Sequence, residues 1–170
     1  MWGRRRAQGH MLFSGRYEHT IDSKNRLAIP SPIRDELERG GDGKKLYVAR
    51  GMQEGTLAVW PEKHFLEMAD QLPQTPIPDP DQLAFEEIFF SSAYGVEPDG
   101  QGRILVPETL MQEVGIGRQV VITGVRDHIA VWNRDDFARF QQENKARIAL
   151  LQQRARDAIR GTLERSRTRQ

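Results

Sequence analysis

Apolar and polar positions along this chain fall into short alternating runs broken by turn residues, and nearly the same succession occurs twice. The first pass predicts an extended segment around Tyr17, a tight turn at Asp22-Ser23-Lys24-Asn25-Arg26 and a strand at Leu27-Ala28-Ile29. A short helix follows from Ile33 to Glu38, with Ser31 as N-cap, Pro32 at the first helical position and Gly40-Gly41 at its end. Strands at Leu46-Tyr47-Val48-Ala49 and Leu57-Ala58-Val59-Trp60 and a closing helix complete the unit. The second pass predicts a turn at Asp99-Gly100-Gln101-Gly102-Arg103, a strand at Ile104-Leu105-Val106 and a helix opened by Pro107 and closed by Gly115. Its last strands are Val120-Val121-Ile122-Thr123 and Ile129-Ala130-Val131-Trp132.

Duplication explains the match better than chance. Tyr17, Asp22, Arg26, Leu27, Ile29 and Pro30 recur as Tyr94, Asp99, Arg103, Ile104, Val106 and Pro107 at one fixed offset. The Trp60 and Trp132 strands recur at a slightly shorter one. A unit of roughly 45 residues buries too little apolar surface to stand alone, so the copies are expected to share one barrel-like core. Between them, Leu72 to Pro80 is proline-rich and reads as an extended connection. Leu83 to Ala93 reads as a helix whose apolar face packs on the barrel or on a neighbouring subunit. Asn133 is expected to cap one long polar helix through Arg160. Met1 to His10 and Gly161 to Gln170 have the composition of disordered ends.

Composition narrows the chemistry. The chain has no cysteine, which removes disulfides, thiolate nucleophiles and thiolate zinc sites, and none of its four histidines stands at a metal-ligand spacing from another. No apolar run of about 18 residues is present, and Arg4-Arg5-Arg6 lacks the apolar stretch of a signal peptide, so the expected address is the cytoplasm with no membrane contact. The net charge is only +1, but it is segregated. Residues 4–34 are basic, residues 54–99 are acidic apart from Lys63, and the C-terminal stretch is basic again. A basic stretch of this kind points to nucleic acid.

The paired Asp22/Arg26 and Asp99/Arg103 are the most specific feature. An Asp at the start of a turn accepts bonds from N–H groups two residues on, and an Arg across the turn can close a purely structural clasp. Alternatively the arginines at the tip of a two-stranded ribbon meet phosphate or guanine edges in the major groove. Lys24 adds a cation at the first tip, where the second offers the neutral Gln101. Asn25, Gly100 and Gly102 supply the turn geometry. Trp60 and Trp132 fit core packing better than base stacking. Gly-Gln-Gly-Arg is too short for a nucleotide fingerprint, Ser91-Ser92 has no activating His nearby, and the acidic run reads as a solvated face. No catalytic constellation, metal set or cofactor motif emerges, so the chain is read as a non-enzyme without a cofactor.

At these residues the sequence resembles the MraZ family, whose chains hold two AbrB-like swapped-hairpin repeats. The resemblance runs through Phe13-Ser14-Gly15, Asp22 to Arg26 leading into Ile29-Pro30, Asp99 to Arg103 leading into Val106-Pro107, and Trp132. Asn25 stands where the family usually has Gly, and Leu83 and Glu87 where it commonly has arginines. The resemblance implies a mainly β, α+β fold: a pseudo-two-fold swapped-hairpin β-barrel with a C-terminal helix. It divides the chain into a disordered extension (1–11), a first DNA-binding repeat (16–63), a helix and Pro-rich connection (64–92), a second repeat (93–136) and a helical basic tail (137–170). It further implies a nucleoid-associated regulator that binds tandem repeats of double-stranded promoter DNA as a ring-like homo-oligomer. Such a regulator represses its own gene and the division and cell-wall gene cluster. DNA contact would fall on Lys24, Arg26, Gln101 and Arg103. A competing reading is an antidote-like protein that holds a protein partner through the Phe85 to Phe90 helix or the C-terminal helix.

Overall fold

A computed structural model of the protein describes residues 11–41, 43–73 and 79–168. Of the extension expected over 1–11, residues 1–10 lie outside the described residues, as do residues 74–78 of the connection, whereas Met11 is described and buried. Two compact units are present, Met1–Arg134 and Asp135–Gln170.

The first unit contains β1 (Arg16–Thr20), β2 (Arg26–Ala28), α1 (Ser31–Gly40), β3 (Leu46–Arg50), β4 (Thr56–Pro61), α2 (Glu62–Asp70), α3 (Pro80–Ser91), β5 (Tyr94–Val96), β6 (Arg103–Leu105), α4 (Glu108–Val114), β7 (Gln119–Val125) and β8 (His128–Asn133). Six strands form one antiparallel sheet in the order β1-β7-β8-β4-β3-β5, and β2 pairs with β6 in a separate two-stranded ribbon. The halves exchange strands: β1 of the first copy lies on β7 of the second, and β5 of the second lies on β3 of the first. Equivalent residues face each other where the copies meet, Ala58 with Ala130 and Leu27 with Ile104, as an internal two-fold requires.

The expected barrel is not closed by hydrogen bonds, because β1 and β5 end the sheet as edges. Nor do the arms of either turn form a hairpin. β1 and β2 leave the Asp22 turn for different partners, β7 and β6. Proline explains the brevity of the ribbon: Pro30 and Pro107 lack the N–H needed to extend a ladder, and each instead precedes a helix.

Alternation along the strands sorts side chains between two cores. Leu46, Val48, Leu57, Val59, Ile129 and Val131 join Leu27, Ile104 and the inner faces of α1 and α4 in the larger core. Ala49, Ala58 and Trp60 take the opposite face, covered by Phe65 of α2 and Phe89 of α3. β3 and β4 both contribute to the two cores, and β4 is buried at every position. Leu27 and Ile104 are fully buried, which at about 2 kcal/mol each pins the ribbon to the sheet.

Helix ends depart from expectation in identifiable ways. Pro30, not Ser31, occupies the cap position of α1, and the Ser31 hydroxyl accepts from Arg34 instead. Gly41 (φ +76°) and Gly115 (φ +72°) close α1 and α4 in the left-handed conformation, as expected. α3 begins at Pro80, earlier than Leu83, because the Asp79 carboxylate accepts from Asp81 N–H at 2.8 Å and Pro80 supplies a preset first residue.

In the second unit, the single helix expected to Arg160 is two: α5 (Arg134–Lys145) and α6 (Ile148–Thr168). At the break the Asn144 amide donates to the Phe140 carbonyl and Arg147 N–H closes a short turn on Asn144. Gly161, expected to begin a disordered end, lies inside α6. No described helix is long and apolar enough to cross a membrane.

Candidate functional site

Both turns are built by one carboxylate. Asp22 Oδ1 accepts from the N–H groups of Lys24 and Arg26, each at 2.9 Å, and Oδ2 accepts from Arg26 Nε at 2.8 Å. Asp99 repeats the arrangement with Gln101 N–H (2.9 Å), Arg103 N–H (3.0 Å) and Arg103 Nε (2.8 Å), and Arg103 Nη2 also lies 2.8 Å from Oδ2. The chain reverses through a left-handed residue, Asn25 (φ +58°) in one turn and Gly102 (φ +71°) in the other. Asparagine tolerates that geometry, so the departure from glycine at position 25 leaves the turn intact.

Each turn is also tied to the opposite copy. Val106 N–H donates to the Asn25 carbonyl at 2.8 Å, and Ile29 N–H donates to the Gly102 carbonyl at 2.9 Å. The turns therefore sit at opposite ends of the β2–β6 ribbon, roughly 14 Å apart at about 3.4 Å per residue. Arg26 pairs with Leu105 and Arg103 with Ala28, so the arginines are diagonal neighbours on the ribbon, roughly 7–8 Å apart. Their alternation with buried Leu27 and Ile104 turns them away from the core, beside the exposed Leu105.

The structural clasp is thus present in both copies, and the guanidinium groups lie at the feet of the turns. The exposed tips belong to Lys24 and Gln101. Hydrogen bonds from Arg26 N–H, then its guanidinium, hold the Asp22 carboxyl below the ordinary value, and the Arg103 guanidinium, then its N–H, hold that of Asp99 at about 2. A depressed carboxyl stabilises the fold above its unfolded value of 3.8, and that contribution is lost as pH falls through about 2. Asp99→Asn is therefore expected to melt below the parent at about pH 5 and to converge with it near pH 2. Carboxyl ¹³C shifts of Asp99 with a midpoint near 4 would contradict the clasp.

Two arginines at this site carried no signal in the sequence. Arg118, just before β7, donates through Nη1 to the carbonyls of Asp22 and Ile21. Arg34 of α1 lies across Gly102. Each borders an open groove: about 500 Å³ between α1 and the second turn, lined by Arg34, Lys44, Asp99 and Gly102, and about 450 Å³ between α4 and the first, lined by Asn25, Met111 and Arg118. Neither motif nor spacing marks them, because Arg118 meets the turn across most of the chain.

Trp60 and Trp132 are buried, as core packing requires. His64 and His128, unrelated in sequence, converge on Asp127: His64 Nδ1 donates to its carbonyl at 2.9 Å and His128 Nδ1 to its carboxylate at 2.8 Å. His128 also stacks on Trp60 at 4.0 Å. Among the described residues no three His, Asp or Glu side chains are grouped to hold a metal.

Two copies of one unit, exchanging strands about an internal two-fold and carrying an Asp-clasped turn each, define a duplicated swapped-strand α+β domain. The sequence model of the family described as "MraZ protein, putative antitoxin-like" matches residues 12–87 and 89–160, one match per copy. Proteins named "Transcriptional regulator MraZ" are similar over most of their length. That of Finegoldia magna is 34% identical, covering 78% of this chain and 89% of its own. That of Moorella thermoacetica is 34% identical over 86% and 98%, and that of Desulforamulus reducens 30% identical over 87% and 100%. The chain belongs to the MraZ family.

Proposed function

We propose that the protein is a sequence-specific DNA-binding transcriptional regulator, acting by binding alone, that assembles as a ring-like homo-oligomer on tandem promoter repeats. On this reading it works at the nucleoid and represses its own gene and the division and cell-wall gene cluster. The observation that carries the proposal is the β2–β6 ribbon with a clasped, outward turn at each end, Lys24 on one tip and Gln101 on the other. A two-stranded ribbon fits the major groove, roughly 12 Å wide, and turns roughly 14 Å apart can brace against both of its walls. Arg26 and Arg103, oriented by their carboxylates, project from the ribbon between the tips, as base-reading or phosphate-binding groups must. The relatives' shared name supports the regulatory role.

Residues 16–63 and 93–136 are the DNA-binding repeats of this proposal, and 137–170 a basic helical tail. Self-association is supported by α3, where Leu83, Phe85 and Ile88 stay exposed while Phe89 is buried. Each site is held weakly, and affinity rises because linked subunits engage neighbouring repeats. The antidote-like reading draws on the family description and on the same α3 surface.

Fluorescence anisotropy against DNA from upstream of the protein's own gene and a scrambled duplex, at two salt concentrations, separates them. The regulator is expected to prefer its own fragment by about 10³-fold or more, with affinity falling steeply as salt rises. Equal binding to both duplexes, or a stoichiometric second protein on purification without DNA affinity, would favour the antidote-like reading.

A further inference from the structure

The two hallmark arginines bring little net charge to DNA. Arg26 is neutralised by Asp22 and Arg103 by Asp99, each at 2.8 Å. Long-range attraction to phosphate must come from cations outside the clasps. At the first turn Lys24 is such a cation, exposed at the tip, and Arg118 stands on the turn's carbonyls. Within the second turn itself, residues 99–103, no cation lies outside the clasp, because the matching tip residue is Gln101.

Arg34 fills that vacancy. A Cβ built on Gly102 would stand 2.5 Å from Arg34 Cδ, 2.6 Å from Nη1 and 3.0 Å from Nε, so the arginine lies directly over the turn's backbone. Gly102 serves two purposes there: it adopts φ +71° and leaves room for the guanidinium. Arg34 has no ion-pair partner among the described residues. Its Nη2 donates to a neutral hydroxyl, Ser31 Oγ at 3.2 Å, and its Nε is buried without an acceptor. Asp99 beneath it is committed to Arg103, and Glu38 and Glu97, which also line the groove, do not reach it within ion-pair distance. A guanidinium with an uncompensated charge matches a phosphodiester in both geometry and sign.

We infer that Arg34 of the first repeat is the phosphate-binding cation of the second turn, supplied across the internal two-fold in place of a lysine at position 101. This rests on the DNA-binding reading above. The ligand is a backbone phosphate of duplex DNA, so Arg34 adds affinity without base preference.

The test is the salt dependence of DNA affinity for the full-length parent, Arg34→Gln, Lys24→Gln, Arg39→Gln and the double variant Arg34→Gln with Gln101→Lys. Arg39 shares α1 but is paired with Glu36 at 2.6 Å, which makes it a control. Arg34→Gln and Lys24→Gln are each expected to reduce the slope of log affinity against log salt by about one per DNA-contacting turn. They should weaken upstream and scrambled duplexes by the same factor. Arg39→Gln should leave the slope unchanged, and Gln101→Lys should restore it to Arg34→Gln. An Arg34→Gln protein with the parent's slope overturns the inference, as does one that only melts lower. If Arg34→Gln does not fold, Arg34→Lys decides: a kept slope supports the charge role, a lost one overturns it. Failure of the parent itself to bind DNA would instead sink the underlying reading.

Discussion

Gly124→Ala is expected to cost about 3 kcal/mol, a fall in melting temperature of roughly 10 °C, although the change adds a single methyl group. Gly124 lies in β7, and its N–H donates to the Gly15 carbonyl at 2.9 Å while the neighbouring Arg126 exchanges backbone bonds with Phe13. A Cβ there would stand 2.2 Å from Ser14 N, 2.4 Å from Ser14 Cα and 2.5 Å from the Phe13 carbonyl carbon. These are main-chain atoms, so no side chain can swing aside; the Phe13 to Gly15 segment must leave the sheet. Phe13, 2% exposed, would go with it and forfeit burial worth about 2 kcal/mol or more. Gly161→Ala is the control, because that glycine is helical with nothing within 4 Å of its Cβ position. It is expected to stabilise α6 by about 0.5–1 kcal/mol. Thermal melts of both variants, with amide exchange at Phe13 and Arg126, check the contrast, and a Gly124→Ala protein melting with the parent would contradict the close approach.

The same segment illustrates what the sequence makes legible. Strands and turns were readable because their causes are local: period-two alternation, Asp at the start of a turn, and Gly41 or Gly115 where a left-handed residue ends a helix. The duplication was readable because both copies kept those local signals. Partnership was not. Nothing near Asp22 says that β1 goes to β7 and β2 to β6, since either arm alternates well enough to pair with the other; the choice is made by the two-fold that sets Leu27 against Ile104. Helix boundaries failed where side chains changed the accounting of end groups, as Asp79 did for α3 and Asn144 for the α5–α6 break. In the site, the clasp followed from spacing, whereas Arg34 and Arg118 reach the turns through contacts to the opposite copy, which no window of sequence contains.

The clasp makes opposite predictions for its two members, which separates a binding role from a structural one. In Arg26→Ala the Asp22 carboxylate keeps its bonds from the N–H groups of residues 24 and 26, so the turn persists and the protein stays folded. One guanidinium contact is worth about 1–3 kcal/mol, and on the proposed multi-subunit binding the preference for the upstream duplex is expected to fall at least about 100-fold. Asp22 is then left without its cation, so the affinity for scrambled DNA falls too. Asp22→Ala removes the acceptor of three donors and frees the Arg26 charge. Its preference is expected to collapse as far, while its affinity for scrambled DNA rises and its salt slope steepens, because the first turn gains a net positive charge while the Asp99–Arg103 pair of the second is untouched. Anisotropy on both duplexes, with circular dichroism to establish folding, reads both effects. If Arg26→Ala loses its fold, or keeps the parent's preference once folded, the pair is a clasp and nothing more, and DNA recognition must be sought at Lys24, Gln101 and the arginines that flank them.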